Sequence, residues 1–119
     1  MTKLILVFLV MIVGATETLA VDAADFYHCR EMSYKDFAKQ SLQWRGKQVV
    51  AFASWCSSCK SNVLDAKKKP NEFILVAAFD DREAAENVLK KWSIQAPCFM
   101  GEDLVDGLGI SSLPWSKKL

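Results

Sequence analysis

The sequence predicts an α/β protein with parallel strands at its centre. Two uninterrupted apolar runs, residues 49–53 and 73–79, are each followed by a segment whose apolar residues recur at helical spacing. A run that is apolar on both faces predicts a strand covered on each side. Alternating strands and helices require crossover connections, which place consecutive strands parallel in one sheet. The 119 residues show no internal repeat and no long linker, so they predict a single domain.

The N-terminal segment has the pattern of a secretory signal peptide. Lys3 gives a basic start, residues 4–13 are apolar, and small residues suited to cleavage follow. We expect residues 1–20 to be the signal, with a second cleavage position after residue 23, and residues 21–119 to form the domain. The alternative is an uncleaved anchor, but the run is well short of the ~20 apolar residues that span a bilayer. We therefore expect an exported protein, periplasmic or extracellular, without a stable membrane span after cleavage.

The charge balance and the cysteine content narrow the functional class and the cellular location of the protein. The chain has 15 basic and 14 acidic side chains, a balance without the basic footprint of a nucleic-acid-binding protein. Its cysteines, Cys29, Cys56, Cys59 and Cys98, are many for a reducing cytosol and ordinary for an exported protein.

The elements before the first apolar run are a short strand and a helix. Residues 25–29 predict a first edge strand. Ser33, with Asp36 three residues later, resembles a capping box at the start of a helix. Phe37 and Leu42 are the candidate inward residues of this helix, which we expect to end near Gly46 because glycine permits the chain to turn.

The elements after the cysteines continue the alternation. Three lysines and Pro70 end the first long helix, and this charge run is expected to be a solvated helix end rather than a binding patch. Asp80 and Asp81 are expected to cap a helix over residues 82–92. A short extended segment over 95–100 and a small helix over 102–108 follow.

Cys56 and Cys59 form a Cys-x-x-Cys pair between the strand at 49–53 and the helix after it. At the first turn of a helix, free N–H groups and the helix dipole favour the thiolate of the leading cysteine, Cys56. Cys59, one turn further on, is expected to be less exposed and placed to attack a mixed disulfide on Cys56. Trp55 would cover the pair with a flat apolar surface.

Two other interpretations of the pair remain open at this stage, because a lone Cys-x-x-Cys is weak evidence. It could be a structural disulfide, or half of a zinc site completed by Cys29, Cys98 and His28. Structural zinc sites usually pair two close-spaced cysteine motifs, and this chain has one, so we expect no metal. We expect His28 to be a surface residue rather than a catalytic base.

Trp55-Cys56-Ser57-Ser58-Cys59 after a strand, together with the downstream Gly109-Ile110-Ser111-Ser112-Leu113-Pro114, resembles the thioredoxin family. The resemblance covers about residues 33–116 and is stronger to secreted bacterial thioredoxin-like proteins of the type that serves cytochrome maturation. It implies a thioredoxin-like fold and a cis peptide before Pro114 facing the cysteines. It also implies a docking groove at Trp55, Leu113 and Pro114.

Two departures from the family pattern stand out. Val50 occupies the position of the family's buried acidic residue, so no proton acceptor for Cys59 is carried over. The family continues past the proline with a strand pair and a helix, whereas residues 115–119 alone follow here. We therefore expect the βαβαβ half of the fold without the C-terminal hairpin and helix, in a truncated chain or one completed by another chain. The sheet would then have an unpaired edge.

These patterns predict an exported thiol–disulfide oxidoreductase with Cys56 and Cys59 as catalytic residues and no cofactor. Its partners would be protein thiols and disulfides, with a membrane electron donor or oxidant. Of the three pairings that four cysteines allow, we prefer Cys56–Cys59 with a structural Cys29–Cys98 bond. The alternatives are a non-catalytic thioredoxin-like binding module with an inert disulfide and a cysteine-rich zinc-binding protein.

Overall fold

A computed structural model describes residues 27–119, and the expected signal peptide lies outside them. The described residues contain five strands: β1 Cys29–Glu31, β2 Gln48–Phe52, β3 Phe73–Ala77, β4 Cys98–Met100 and β5 Trp115–Lys118. They also contain four α-helices: α1 Tyr34–Gln40, α2 Lys60–Lys68, α3 Arg82–Lys91 and α4 Glu102–Leu108. Short 3₁₀ turns, Ser57–Cys59 and Pro70–Glu72, precede α2 and β3.

The strands form one sheet in the order β1-β4-β3-β2-β5. The neighbours β1 and β4, β4 and β3, and β3 and β2 are parallel. The central strands β2 and β3 are buried along almost their whole length, as their continuous apolar runs predict. The α/β class with parallel central strands is therefore confirmed.

The edge of the sheet beside β2 differs from the expectation. Residues after Pro114 form β5, which pairs antiparallel with β2 from Ala51↔Trp115 to Gln48↔Lys118. The expectation that no strand follows Pro114 is therefore wrong, because β5 pairs with β2 and is itself the edge strand on this side of the sheet. The described part of the chain also contains more than a βαβαβ unit, since β1 and β4 extend the other side of the sheet.

Helices cover both faces of the sheet. On one face, α2 and α3 bring Val63 and Leu89 into a cluster with Val50 and Leu75. On the other face, α1 and α4 bring Phe37 and Leu104 into a cluster with Val49, Ile74 and Val76. Successive strand residues point to opposite faces, so adjacent residues of β2 and β3 belong to different clusters. Burying each such side chain contributes about 1.5–3 kcal/mol.

The start of α1 follows the sequence pattern, but its end does not. Ser33 Oγ accepts a hydrogen bond from the Asp36 N–H at 3.1 Å, which confirms the predicted cap. The helix ends at Gln40 rather than near Gly46, and a run of turns follows. Leu42 lies in these turns and is 69% exposed, so its predicted inward position is wrong.

Within residues 27–119, none of the helices has the length and apolar content needed to cross a membrane.

Candidate functional site

Cys56 and Cys59 are joined by a disulfide at the carboxyl end of β2, with Cα atoms 5.4 Å apart. Cys56 is the N-cap of the Ser57–Cys59 3₁₀ turn, which leads directly into α2. Both residues are buried, Cys56 with 6% of its surface exposed and Cys59 with 1%. The leading cysteine is thus the more accessible of the two, as its position before the first helical turn predicts.

The side chains that pack against the Cys56–Cys59 pair are apolar. Both cysteines belong to the cluster that contains Val50, Phe52 and Val63. In the part of the chain that the structure describes, no charged or polar residue is buried. Ser58 Oγ lies 3.5 Å from Cys56 Sγ, and its hydroxyl is the donor because a disulfide sulfur carries no proton. This hydroxyl would also stabilise a thiolate at Cys56.

Asp80 fixes the loop that carries the cysteines. Its carboxylate accepts hydrogen bonds from the Ser54 N–H at 2.6 Å and from the Ser54 hydroxyl at 3.1 Å. It also accepts one from the Asp81 N–H at 2.9 Å. Asp81, at the N-cap of α3, makes no capping bond through its side chain, so the predicted cap by two aspartates is wrong in detail. Asp80 instead joins the loop after β2 to the loop after β3.

Trp55 and Phe79 form a second connection between the same two loops. Trp55 Nε1 donates a hydrogen bond to the Phe79 carbonyl at 2.9 Å. Trp55 is 62% exposed and Phe79 is 50% exposed. Phe79 has a φ of +56°, so a bulky residue is in the left-handed region that usually takes glycine. The chain therefore presents two aromatic side chains to solvent, Trp55 next to Cys56 in the sequence and Phe79 on the loop bonded to Trp55.

The loop before β5 supplies the other expected docking residues. The Leu113–Pro114 peptide is cis. Leu113 is half-buried and packs against the apolar cluster that contains Cys56 and Cys59, as well as against the cluster on the other face. Pro114 is exposed. Leu113 therefore connects this loop to the surroundings of the cysteine pair.

The remaining two cysteines form a second disulfide, Cys29–Cys98, across a directly opposed pair of β1 and β4. This is the pairing predicted from the sequence. Beside it, Glu86 Oε2 accepts from the Cys29 N–H and lies 2.8 Å from His28 Nδ1. The His28 side chain is 44% exposed, consistent with a surface residue. Within residues 27–119, no group of three or more His, Cys, Asp or Glu side chains is placed to hold a metal ion.

Sequence reasoning missed the contribution of Phe79 and Asp80. Phe79 was expected to end a buried strand, and Asp80 to cap a helix. The sequence indicates them only by position. Phe79 and Asp80 follow the end of β3 at the same distance as Ser54 and Trp55 follow the end of β2. The carboxyl ends of adjacent parallel strands meet at one edge of a sheet, so these residues can contact one another.

No protein-family model matches the chain, and no curated protein matches its sequence. The geometry of the fold and of the loop around Cys56 therefore carries the functional argument.

Proposed function

We propose that the protein is an exported thiol–disulfide oxidoreductase with a thioredoxin-like fold. The observation that carries the proposal is the position of the Cys56–Cys59 disulfide. It spans the first turn of a helical segment at the carboxyl end of a central strand, beside the exposed Trp55. This placement gives one sulfur free N–H groups and a helix dipole, both of which stabilise a thiolate.

The two disulfides differ in how much they can stabilise the fold. Cys29 and Cys98 are separated by 69 positions in the sequence, and Cys56 and Cys59 by 3. Each disulfide stabilises the fold by lowering the loop-closure entropy of the denatured chain. This contributes about 4.4 kcal/mol for Cys29–Cys98 and about 1.6 kcal/mol for Cys56–Cys59. A structural role accounts well for Cys29–Cys98. The short closure adds much less stability, which favours a role in chemistry.

The reaction follows from the order of the two sulfurs. A partner thiolate attacks Cys56 Sγ, the Cys56–Cys59 bond breaks, and a partner–Cys56 disulfide forms. The leaving Cys59 sulfur takes a proton. A second partner thiolate then displaces Cys56, which leaves as a thiolate, so that the partner is oxidised to a disulfide and the protein gains two electrons and the proton on Cys59. In the opposite direction, the Cys56 thiolate attacks a partner disulfide and Cys59 resolves the mixed disulfide.

Each neighbouring residue has a role in this scheme. The Ser58 hydroxyl and the helix N-terminus stabilise negative charge on Cys56. The apolar surroundings of Cys59 favour its neutral thiol, so Cys56 is the more reactive of the two. Trp55, Leu113 and Pro114 form the docking surface for protein thiols and disulfides. A membrane electron donor or oxidant would reset the pair.

The burial of Cys56 favours one alternative, a binding module of the same fold with an inert disulfide. An attacking thiol must reach Cys56 Sγ, and only 6% of that residue is exposed. A zinc-binding role has less support, because the four cysteines are all joined in disulfides.

Trapping of a mixed disulfide tests the proposal and separates it from the inert module. We expect reduced Cys59→Ser to accumulate a covalent adduct with a labelled cystine peptide, since no resolving thiol remains. Cys56→Ser should give much less adduct, because Cys59 is only 1% exposed against 6% for Cys56 and does not lie before the first helical turn. Intact mass spectrometry measures both. Equal, negligible labelling of the two variants would favour the inert module.

A further inference from the structure

A cleft lies at the carboxyl ends of β3 and β4, near the loop that carries Cys56. Here the connections from the strands to the following helices lie on opposite faces of the sheet. The chain leaves β3 for α3 on one face of the sheet, and it leaves β4 for α4 on the other. β3 and β4 are adjacent and parallel. Connections that diverge from neighbouring strands leave a crevice at their carboxyl ends, where α/β proteins bind ligands. This cleft has a volume of 430 Å³ and is lined by Ala77 and Met100, at the ends of the two strands.

The apolar part of the cleft continues towards Cys56. Phe79 lines the cleft, and its carbonyl accepts the hydrogen bond from Trp55, the residue before Cys56. Phe79 therefore joins the loop of Cys56, through the Trp55 hydrogen bond to its carbonyl, to the cleft that Phe79 and Met100 line. Exposed aromatic side chains grouped in this way are typical of interaction sites rather than of ordinary protein surface.

The charged part of the cleft is acidic. Its lining includes Glu31, Asp80, Glu102 and Asp106. One of these, Glu31, is paired with Arg82 at 3.0 Å across the Arg82 Nη2–Glu31 Oε2 contact. Asp80 is bonded to Ser54, which leaves Glu102 and Asp106 as the exposed carboxylates of the lining. The cleft therefore complements a cationic group carried next to an apolar one.

Basic side chains lie at the opposite end of the sheet. Lys47 precedes β2, Lys118 pairs with Gln48 at the start of β2, and Lys69 precedes the turn that leads into β3. The chain has a formal net charge of only +1, and these lysines lie at the end of the sheet opposite the acidic cleft, whereas Lys60 and Arg82 lie at the carboxyl end with it. Such a separation steers a cationic partner towards the acidic end, where Cys56 lies.

We propose that the surface formed by Trp55, Phe79, Met100 and the acidic cleft docks a basic polypeptide segment that carries the partner's reacting cysteine. This inference rests on the proposed function and names its substrate class. β4, whose end forms the far side of the cleft, is two strand spacings, roughly 10 Å, from β2. An extended segment covers that distance in about three residues, so the partner's lysine or arginine lies about three residues from its cysteine.

Matched peptides test the proposal on the full chain. Three labelled nonapeptides share a central serine in place of cysteine and one phenylalanine, and carry lysine, glutamine or glutamate three residues on either side. Fluorescence anisotropy measures their binding to the oxidised protein. We expect the lysine peptide to bind about tenfold more tightly than the glutamate peptide at low ionic strength, with most of the preference lost at about 0.5 M salt.

Charge variants test whether the acidic cleft causes the preference for the lysine peptide. The double variant Glu102→Gln, Asp106→Asn should reduce the tenfold preference to about twofold, because it removes the two exposed carboxylates of the cleft lining that are engaged neither by Arg82 nor by Ser54. The matched control Asp65→Asn, Glu72→Gln removes two exposed charges outside the cleft and should keep the preference. Equal binding of all three peptides, or a preference that the cleft variant leaves unchanged, would overturn the proposal.

Cysteine versions of the same peptides separate this inference from the proposed function. If the rates of thiol–disulfide exchange with the three peptides follow the same order as their binding affinities, both the docking inference and the proposed function are supported. Exchange with the glutamine peptide at the same rate as with the lysine peptide would overturn the docking inference and leave the oxidoreductase in place. Selective binding of the lysine peptide without exchange with any peptide would overturn the oxidoreductase, and with it the assignment of basic segments as exchange substrates.

Discussion

Removing the Cys29–Cys98 disulfide should cost far more stability than removing Cys56–Cys59. We compare two double variants, Cys29→Ala with Cys98→Ala and Cys56→Ala with Cys59→Ala. Each removes two buried sulfurs, so the packing losses are similar and largely cancel. The difference that remains is the closure entropy of the denatured chain, for sequence separations of 69 and 3.

The expected difference is large compared with the stability of a small domain. The two closures contribute about 4.4 and 1.6 kcal/mol, so the variants should differ by about 2.8 kcal/mol in free energy of unfolding. A domain of this size has only about 5–15 kcal/mol in total. β1 has only three residues, so without the disulfide it is a short edge strand held by few hydrogen bonds. One of these is the bond from the Cys29 N–H to Glu86.

Urea unfolding followed by circular dichroism measures the difference under oxidising conditions. The Cys29→Ala, Cys98→Ala variant should also show a larger m-value, because its denatured chain lacks the long crosslink and exposes more surface. Full reduction of the wild type breaks both disulfides, so by closure entropy it should lose about 6.0 kcal/mol, about 1.6 kcal/mol more than loss of Cys29–Cys98 alone. If the two double variants lose equal stability, or the Cys56→Ala, Cys59→Ala variant loses more, the entropy argument for their separate roles is wrong.

Three further predictions concern single positions. Asp80→Asn should lower stability by about 1–3 kcal/mol and slow exchange at Cys56, because the charged acceptor for the Ser54 N–H and hydroxyl is lost; unchanged exchange kinetics would refute its role in holding the loop. Phe79→Gly should be more stable than Phe79→Ala by about 0.5–1 kcal/mol in thermal or urea unfolding, because φ at this residue is +56°; the reverse order would refute the left-handed conformation. Gly107→Ala should cost about 1–3 kcal/mol, because the added Cβ meets the Tyr34 side chain near its backbone, and a neutral result in urea unfolding would contradict that close packing of α1 on α4.

The sequence predicts the centre of the fold well. The runs that become β2 and β3 are apolar on both faces, which identifies buried parallel strands without any knowledge of their neighbours. Ser33 and Asp36 identify the start of α1, and Gly109, with φ of +75°, ends α4 where the small helix was expected to close. These signals are local, since each depends on residues within a few positions of one another.

Features that depend on distant contacts were not predictable in this way. Leu42 fits a helical pattern, but α1 ends two residues earlier and leaves this side chain in solvent. Asp80 resembles a helix cap, yet its shortest hydrogen bond is from the N–H of Ser54, 26 positions away in the sequence, and it also accepts from the Ser54 hydroxyl. The pairing of β5 with β2 depends on the same kind of long-range contact. The position of Cys56 was predictable, whereas the residues that hold its loop were not.

A redox titration with a thiol count tests the central claim most directly. The full chain is equilibrated in glutathione buffers of graded potential, alkylated and weighed by intact mass spectrometry. We predict that two thiols appear together at a potential between about −270 and −120 mV, the range of catalytic disulfides. This step should vanish in the Cys56→Ala, Cys59→Ala variant, while Cys29–Cys98 stays oxidised. If the Cys56–Cys59 bond resists reduction until below about −300 mV, it is a structural crosslink, and the proposed oxidoreductase is contradicted.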